Sequence, residues 1–148
     1  MSNELQSIDV TKLVEYTKKI EDIGTINKMM APNYLRDFIN AMDMTSSMLS
    51  KAIRTNLEIK SDLDRLEAIA FLDKAGEYLQ IKGINASAES RKKYVDIDPD
   101  VIDVKNRYAA SEAMCVFLKN KYQTFRVSHD AVKKIAYGDT NSTGFEGF

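Results

Sequence analysis

Apolar residues recur every three or four positions along most of this chain, the period of an amphipathic helix. From Leu35 the series runs through Phe38, Ile39, Met42, Leu49, Ile53, Leu57, Leu63, Leu66, Ile69, Leu72 and Leu79. It predicts a helix from about Asn33 to about Ile81, roughly 70 Å long at 1.5 Å per residue. A rod of that length has to bend or pair, and a break is expected near Thr55-Asn56 or Ser61. A shorter series, Leu13, Tyr16, Ile20 and Ile23, predicts a first helix. Asp9 is placed to cap it, and Met29-Met30-Ala31-Pro32 to end it. A third series predicts a long helix ending near Tyr137: Val101, Val104, Tyr108, Cys115, Leu118, Tyr122, Phe125, Val132 and Ile135.

The residues between these series fit as helix punctuation. Gly83 suits the left-handed position after a helix end. Ser87 suits the N-cap of a short helix through Arg91 and Tyr94. Asp98 as N-cap, Pro99 in the first helical position, and Ile97 facing Ile102 make a capped start with a hydrophobic staple. Lys133 and Lys134 fall in the expected last turn, where the helix dipole favours cations, and Gly138 is the expected stop. With only two prolines and six glycines in 148 residues, little interrupts the helices.

The fold class that follows is all-α: long antiparallel helices forming a helical hairpin plus an N-terminal arm. Residues 1–31 read as the arm, 32–137 as the helical domain, and 138–148 as a disordered Gly/Ser/Thr/Asn-rich tail. Seven methionines suggest adaptable packing surfaces.

Charge changes the picture through its distribution. The totals, 21 basic and 22 acidic residues, nearly cancel. From Lys105 to Lys134, however, seven basic residues face two acidic ones, after an acidic segment from Asp96 to Asp103. Such segregation permits one basic surface on a neutral molecule. The single cysteine, Cys115, excludes an intrachain disulfide and fits a reducing compartment. No run approaches the roughly 18 apolar residues of a membrane span. A cytoplasmic protein with no membrane attachment is expected.

Catalytic constellations are not apparent. There is no Gly-rich phosphate loop and no Cys-pair or paired-His spacing for a metal. His129, the one histidine, follows Cys115 by fourteen residues. That is about 21 Å along one helix, too far for a nucleophile–base pair. No enzymatic activity, cofactor or metal is expected.

The basic residues Lys51, Arg54, Lys60, Arg65, Lys74 and Lys82 are spread along the second helix, followed by Arg91, Lys92 and Lys93. In a monomer they read as a solvated helix face with acidic neighbours such as Glu58 and Asp62. Repeated around a symmetric assembly, they would form a basic track on which Tyr78 or Tyr94 could stack bases.

Two stretches resemble the UvsY family, the recombination mediators of T4-type bacteriophages. The run Ile59-Lys60-Ser61-Asp62-Leu63-Asp64-Arg65-Leu66-Glu67-Ala68 is similar to that family's I-K-K-E-x-x-R-I-E-A run, and Asp73-Lys74-Ala75 follows at a similar distance. The second stretch has the basic segment Arg91 to Lys93, the acidic turn Asp98-Pro99-Asp100-Val101, and a long helix from Tyr108 to Ile135. Order and lengths agree over roughly Leu35 to Ile135.

The resemblance implies a ring-shaped homo-oligomer, six or seven subunits being usual, in the host cell cytoplasm. It implies single-stranded DNA binding, contact with a recombinase and a single-strand-binding protein, and a role in recombination, repair and replication. Lys60, Arg65 and Lys74 match basic family positions, while Gly76 stands where the family has an arginine. Lys82 and the segment Arg91, Lys92 and Lys93 are further nucleic-acid candidates. The last helix is expected to carry the oligomer interface through Tyr122, Phe125, Val132 and Ile135. A helical structural or adaptor subunit with no nucleic-acid role is the competing expectation.

Overall fold

A computed structural model describes the backbone of residues 8–143 and the side chains of residues 8–138. The described chain is helical, with no strand among the described residues. α1 is Thr11–Glu21, followed by a 3-10 turn at Ile23–Thr25. α2 is Ala31–Ile69, and it runs through a π turn at Ala70–Lys74 directly into α3, Ala75–Ile81. α4 is Ala88–Ile97 and α5 is Pro99–Thr143. The chain divides into two compact units, one holding residues up to Lys51 together with those from Cys115, the other Ala52–Met114.

In the first unit α1 supplies core. Leu13 is 1% exposed, and the ring of Tyr16 meets Phe125 edge-on at 6.3 Å. Phe125 in turn stacks on Phe38 of α2 at 6.4 Å. Lys19 pairs with Asp37, and Lys121 Nζ donates to Thr17 Oγ1 at 3.1 Å. The segment expected as a separate arm is therefore built into this unit's core, because its apolar stripe finds two aromatic partners. The helix ends obey local chemistry. Asp9 Oδ1 accepts from Thr11 N at 2.9 Å, and Asn27 Oδ1 accepts from Met30 N at 3.0 Å ahead of α2. Pro32 follows in the first turn, where its missing N–H costs nothing.

In the second unit α2 and α5 run antiparallel. Lys60 lies over the ring of Tyr108, while Glu67, one heptad on, meets Lys105, one turn earlier. Ile59, Leu63, Ala70, Ala75, Leu79, Val101 and Val104 are buried there.

Small residues line the inward face of α2. Ala41 and Thr45 in the first unit, and Ala52 and Thr55 in the second, are buried, whereas Ile39, Ile53, Leu57 and Leu72 are exposed. The apolar series thus meets the seam at Phe38, Leu63 and Leu79 and leaves it at Ile39, Ile53, Leu57 and Leu72. Small side chains let a neighbouring helix approach closely, so the seam is marked by size as much as by hydropathy. Two buried hydroxyls bond back to their own helices: Thr45 Oγ1 donates to the Ala41 carbonyl at 2.6 Å, and Ser128 Oγ to that of Thr124 at 2.8 Å.

α2 does not break at Thr55-Asn56 or Ser61. The departure from regular helix comes later, at the π turn, where Ala75 N donates to the Ala70 carbonyl five residues back. Gly83 has φ +68° and completes a Schellman ending, with Ile84 N on the Leu79 carbonyl at 2.9 Å and Gly83 N on that of Gln80 at 3.1 Å. Gly138 does not stop α5, which continues to Thr143. The remainder of the expected disordered tail, residues 144–148, lies outside the described residues.

Candidate nucleic-acid interface

The seven basic candidates named from the sequence all belong to the second unit, and their settings differ. Asp98 organises the largest group. It is 1% exposed, and its Oδ1 caps α5 by accepting from Asp100 N at 3.0 Å and Val101 N at 3.1 Å. Its Oδ2 accepts from the Tyr94 hydroxyl at 2.8 Å and lies 3.5 Å from Lys74 Nζ. Burial alone would raise this carboxyl's pKa, but the Tyr94 hydroxyl, the Val101 N–H and the Lys74 ammonium together outweigh it and hold it below the usual range. Lys74 also donates to Asp100 at 2.6 Å, which pushes the ammonium's pKa up. Lys74 is therefore committed to two carboxylates.

Arg91 is committed to the backbone. Its Nη1 donates to the Phe71 carbonyl at 2.8 Å, within the π turn, and its Nε to that of Ala86 at 3.4 Å. The widened ladder of a π turn leaves carbonyls without their usual partner, and a guanidinium with several donors suits them. A Cβ at Gly76 would stand 3.4 Å from Arg91 Nη2, so the clamp leaves room for a small residue here and no larger one.

The other candidates keep more exposure. Arg65 is 3.9 Å from Asp62, and Lys93 is 3.7 Å from Glu89, both as surface pairs. Such pairs contribute little and exchange readily. Lys92 lines a surface groove with Asp64, Glu67 and Asp96. Lys60 and Lys82 lie over tyrosine rings, Lys60 at 5.7 Å from Tyr108 and Lys82 at 5.8 Å from Tyr78. Tyr78 itself packs against Tyr94 at 5.0 Å. Lys74 and Arg91 thus act first as braces of the fold, and Lys60, Lys82 and Lys92 are the exposed candidates with no carboxylate in ion-pair distance among the described residues.

The expected interface residues of the last helix divide in the same way. Phe125 and Val132 are fully buried within their own unit, so neither offers surface to a second copy. Tyr122, 36% exposed, and Ile135, partly covered, do. Cys115 is buried, and His129 Nδ1 lies 3.6 Å from Asp130 Oδ1. No group of three or more metal-ligating side chains occurs among the described residues, and none of their helices is long and apolar enough to cross a membrane.

Charge is apportioned unevenly. The second unit holds ten Lys and Arg against twelve Asp and Glu. Between Cys115 and Gly138, in the first unit, α5 carries five basic residues (Lys119, Lys121, Arg126, Lys133, Lys134) and one acidic residue, Asp130. Reading the basic candidates off α2 and α4 passed over this stretch, although its charge excess is visible in the sequence. No protein-family model, curated protein or solved structure matches the chain.

Proposed function

We propose that this protein binds single-stranded DNA without sequence preference and acts as a recombination mediator, helping a recombinase replace a single-strand-binding protein on DNA. The observation that carries the reading is the set of exposed cations outside the ion pairs, among them Lys60, Lys82 and Lys92 in the second unit, and Lys119, Arg126, Lys133 and Lys134 in the first. The resemblance of residues 59–68 and 91–101 to the UvsY family supports the same reading and supplies its recombinase and single-strand-binding partners. A homo-oligomer of six or seven subunits belongs to the proposal, since assembly would multiply a modest cluster of cations into a track. Mediation needs only differential binding of two DNA complexes.

The test is fluorescence anisotropy of a labelled single-stranded oligonucleotide at low and moderate salt. Saturable binding that weakens steeply with salt is expected, because counterion release dominates phosphate contact. Absence of binding at low salt would sink the reading.

A second reading, a helical assembly subunit with no nucleic-acid role, is favoured by the exposure of Ile53 and Leu57 one turn apart on α2. It predicts self-association in the absence of DNA binding, which sedimentation run beside the anisotropy titration distinguishes.

A further inference from the structure

The outer surface of α5 in the first unit alternates cations with rings. Lys119, Tyr122, Arg126, His129 and Lys133 follow one another at spacings of three and four, and Tyr137 comes four residues after Lys133. Residues so spaced are neighbours on a helix surface, so the six form one stripe. Lys119, Arg126 and Lys133 are exposed, and each lies about 10.5 Å along the axis from the next. Tyr122 is 36% exposed between the first two, and Tyr137 is 56% exposed beyond the third. The His129 ring lies between Arg126 and Lys133 with Asp130 beside it.

Among the described residues no carboxylate is within ion-pair distance of Lys119, Arg126 or Lys133. The same holds for six of the ten cations of the second unit, so what marks this stripe is the alternation of its unpaired cations with rings. Of the other two basic residues of this stretch, Lys134 lies beside the stripe, and Lys121 is turned to a different task, donating to Thr17 and lying over the Phe117 ring at 5.7 Å. Tyr122 keeps about a third of its surface open, while Phe125, three residues on, fills the core position.

We infer that this stripe, and not the cluster on α2 and α4, is the main single-strand contact: Lys119, Arg126 and Lys133 take phosphates, and Tyr122 stacks on an unpaired base. Cations interleaved with rings suit single strands rather than duplex, since only unpaired bases present a face for stacking. The inference rests on the single-strand reading above and assigns its site.

The experiment compares K119E/R126E/K133E, Y122A and Y122F with K60E/R65E/K82E, using a labelled oligo-dT strand at two salt concentrations. All substituted positions are at the surface, and circular dichroism checks that each variant keeps its helix content. If charge reversal unfolds the first set, K119Q/R126Q/K133Q replaces it. The α5 set is expected to weaken binding at least tenfold and to lower the salt slope by about 2, at roughly 0.7 per phosphate contact. Y122A is expected to weaken it at least about fivefold while Y122F restores it, the signature of stacking. The K60E/R65E/K82E set, touching a secondary contact, should weaken binding by about threefold at most. If wild-type protein binds and the α5 set or Y122A binds as tightly, or if both charge sets weaken it equally, the inference fails and the DNA reading stands. If wild-type protein binds nothing at low salt, the DNA reading itself fails.

Discussion

The guanidinium of Arg91 and a side chain at position 76 would compete for one place: Arg91 Nη2 lies 3.4 Å from where a Cβ on Gly76 would stand. At that distance a methyl group makes ordinary contact. Gly76→Ala should therefore be tolerated, and it should gain up to about 1 kcal/mol of helix propensity. A long or branched residue at 76 would push the guanidinium off the Phe71 carbonyl. Gly76→Leu and Arg91→Ala should each cost about 1–3 kcal/mol, the penalty for an unsatisfied backbone group. Urea unfolding of the three variants checks the order.

Asp98 gives stability a pH signature. Its carboxyl is held below the usual range in the fold. Its contribution is therefore fully present above the unfolded pKa, near 3.8, and lost as pH falls through the lower folded value. Asp98→Asn retains a cap acceptor but no charge, so its melting temperature should fall less steeply than wild type below about pH 4. Asp98→Ala, which strands the Tyr94 hydroxyl and two N–H groups and leaves Lys74 with Asp100 alone, should cost about 2–4 kcal/mol at neutral pH.

Phe125 and Tyr122 stand one turn apart on α5 in opposite settings, one fully buried and one at the surface. Phe125→Ala should lower unfolding free energy by about 3–5 kcal/mol. Tyr122→Ala should change it by no more than about 0.5 kcal/mol. Equal losses in denaturant titration would show that Tyr122 is structural.

Leu57, 61% exposed, and Ile53, 41% exposed, present apolar surface one turn apart on α2. The double variant I53E/L57E should remain folded with little change in melting temperature, because neither side chain contributes to the core. Its sedimentation coefficient should fall relative to wild type, reporting a smaller assembly. An unchanged coefficient would remove this face from any self-contact.

Much of the fold could be read from residues whose chemistry is local. Asp98 and Ser87 cap because a short side-chain oxygen reaches N–H groups two or three residues on, with Ser87 Oγ accepting from Ser90 N at 3.2 Å. Gly83 ends a helix because a positive φ costs glycine little. The inward face of α2 was harder to read. Ile53 and Leu57 fit helical spacing as well as Ala52 and Thr55 do, and only the neighbouring helix decides between them. The π turn has no composition of its own, since Ala70, Phe71, Leu72, Asp73 and Lys74 would all serve in an ordinary helix. Of the candidate site, the charge excess near the end of the chain was legible. What was not legible is which cations already have partners: Lys74 and Arg91 look like free ligands until Asp98 and the Phe71 carbonyl are brought beside them.

The π turn also says how this chain tolerates change in length. A turn closed five residues back instead of four holds one residue more than a regular helix does. Deleting one of residues 70–74 would let the ladder close as regular helix and leave Leu79 and Gly83 near their present directions. A deletion in the regular part of α2 would instead swing everything beyond it by about 100° around the axis. The segment can therefore give up a residue where its neighbours cannot, a tolerance that its spacing holds and its letters do not.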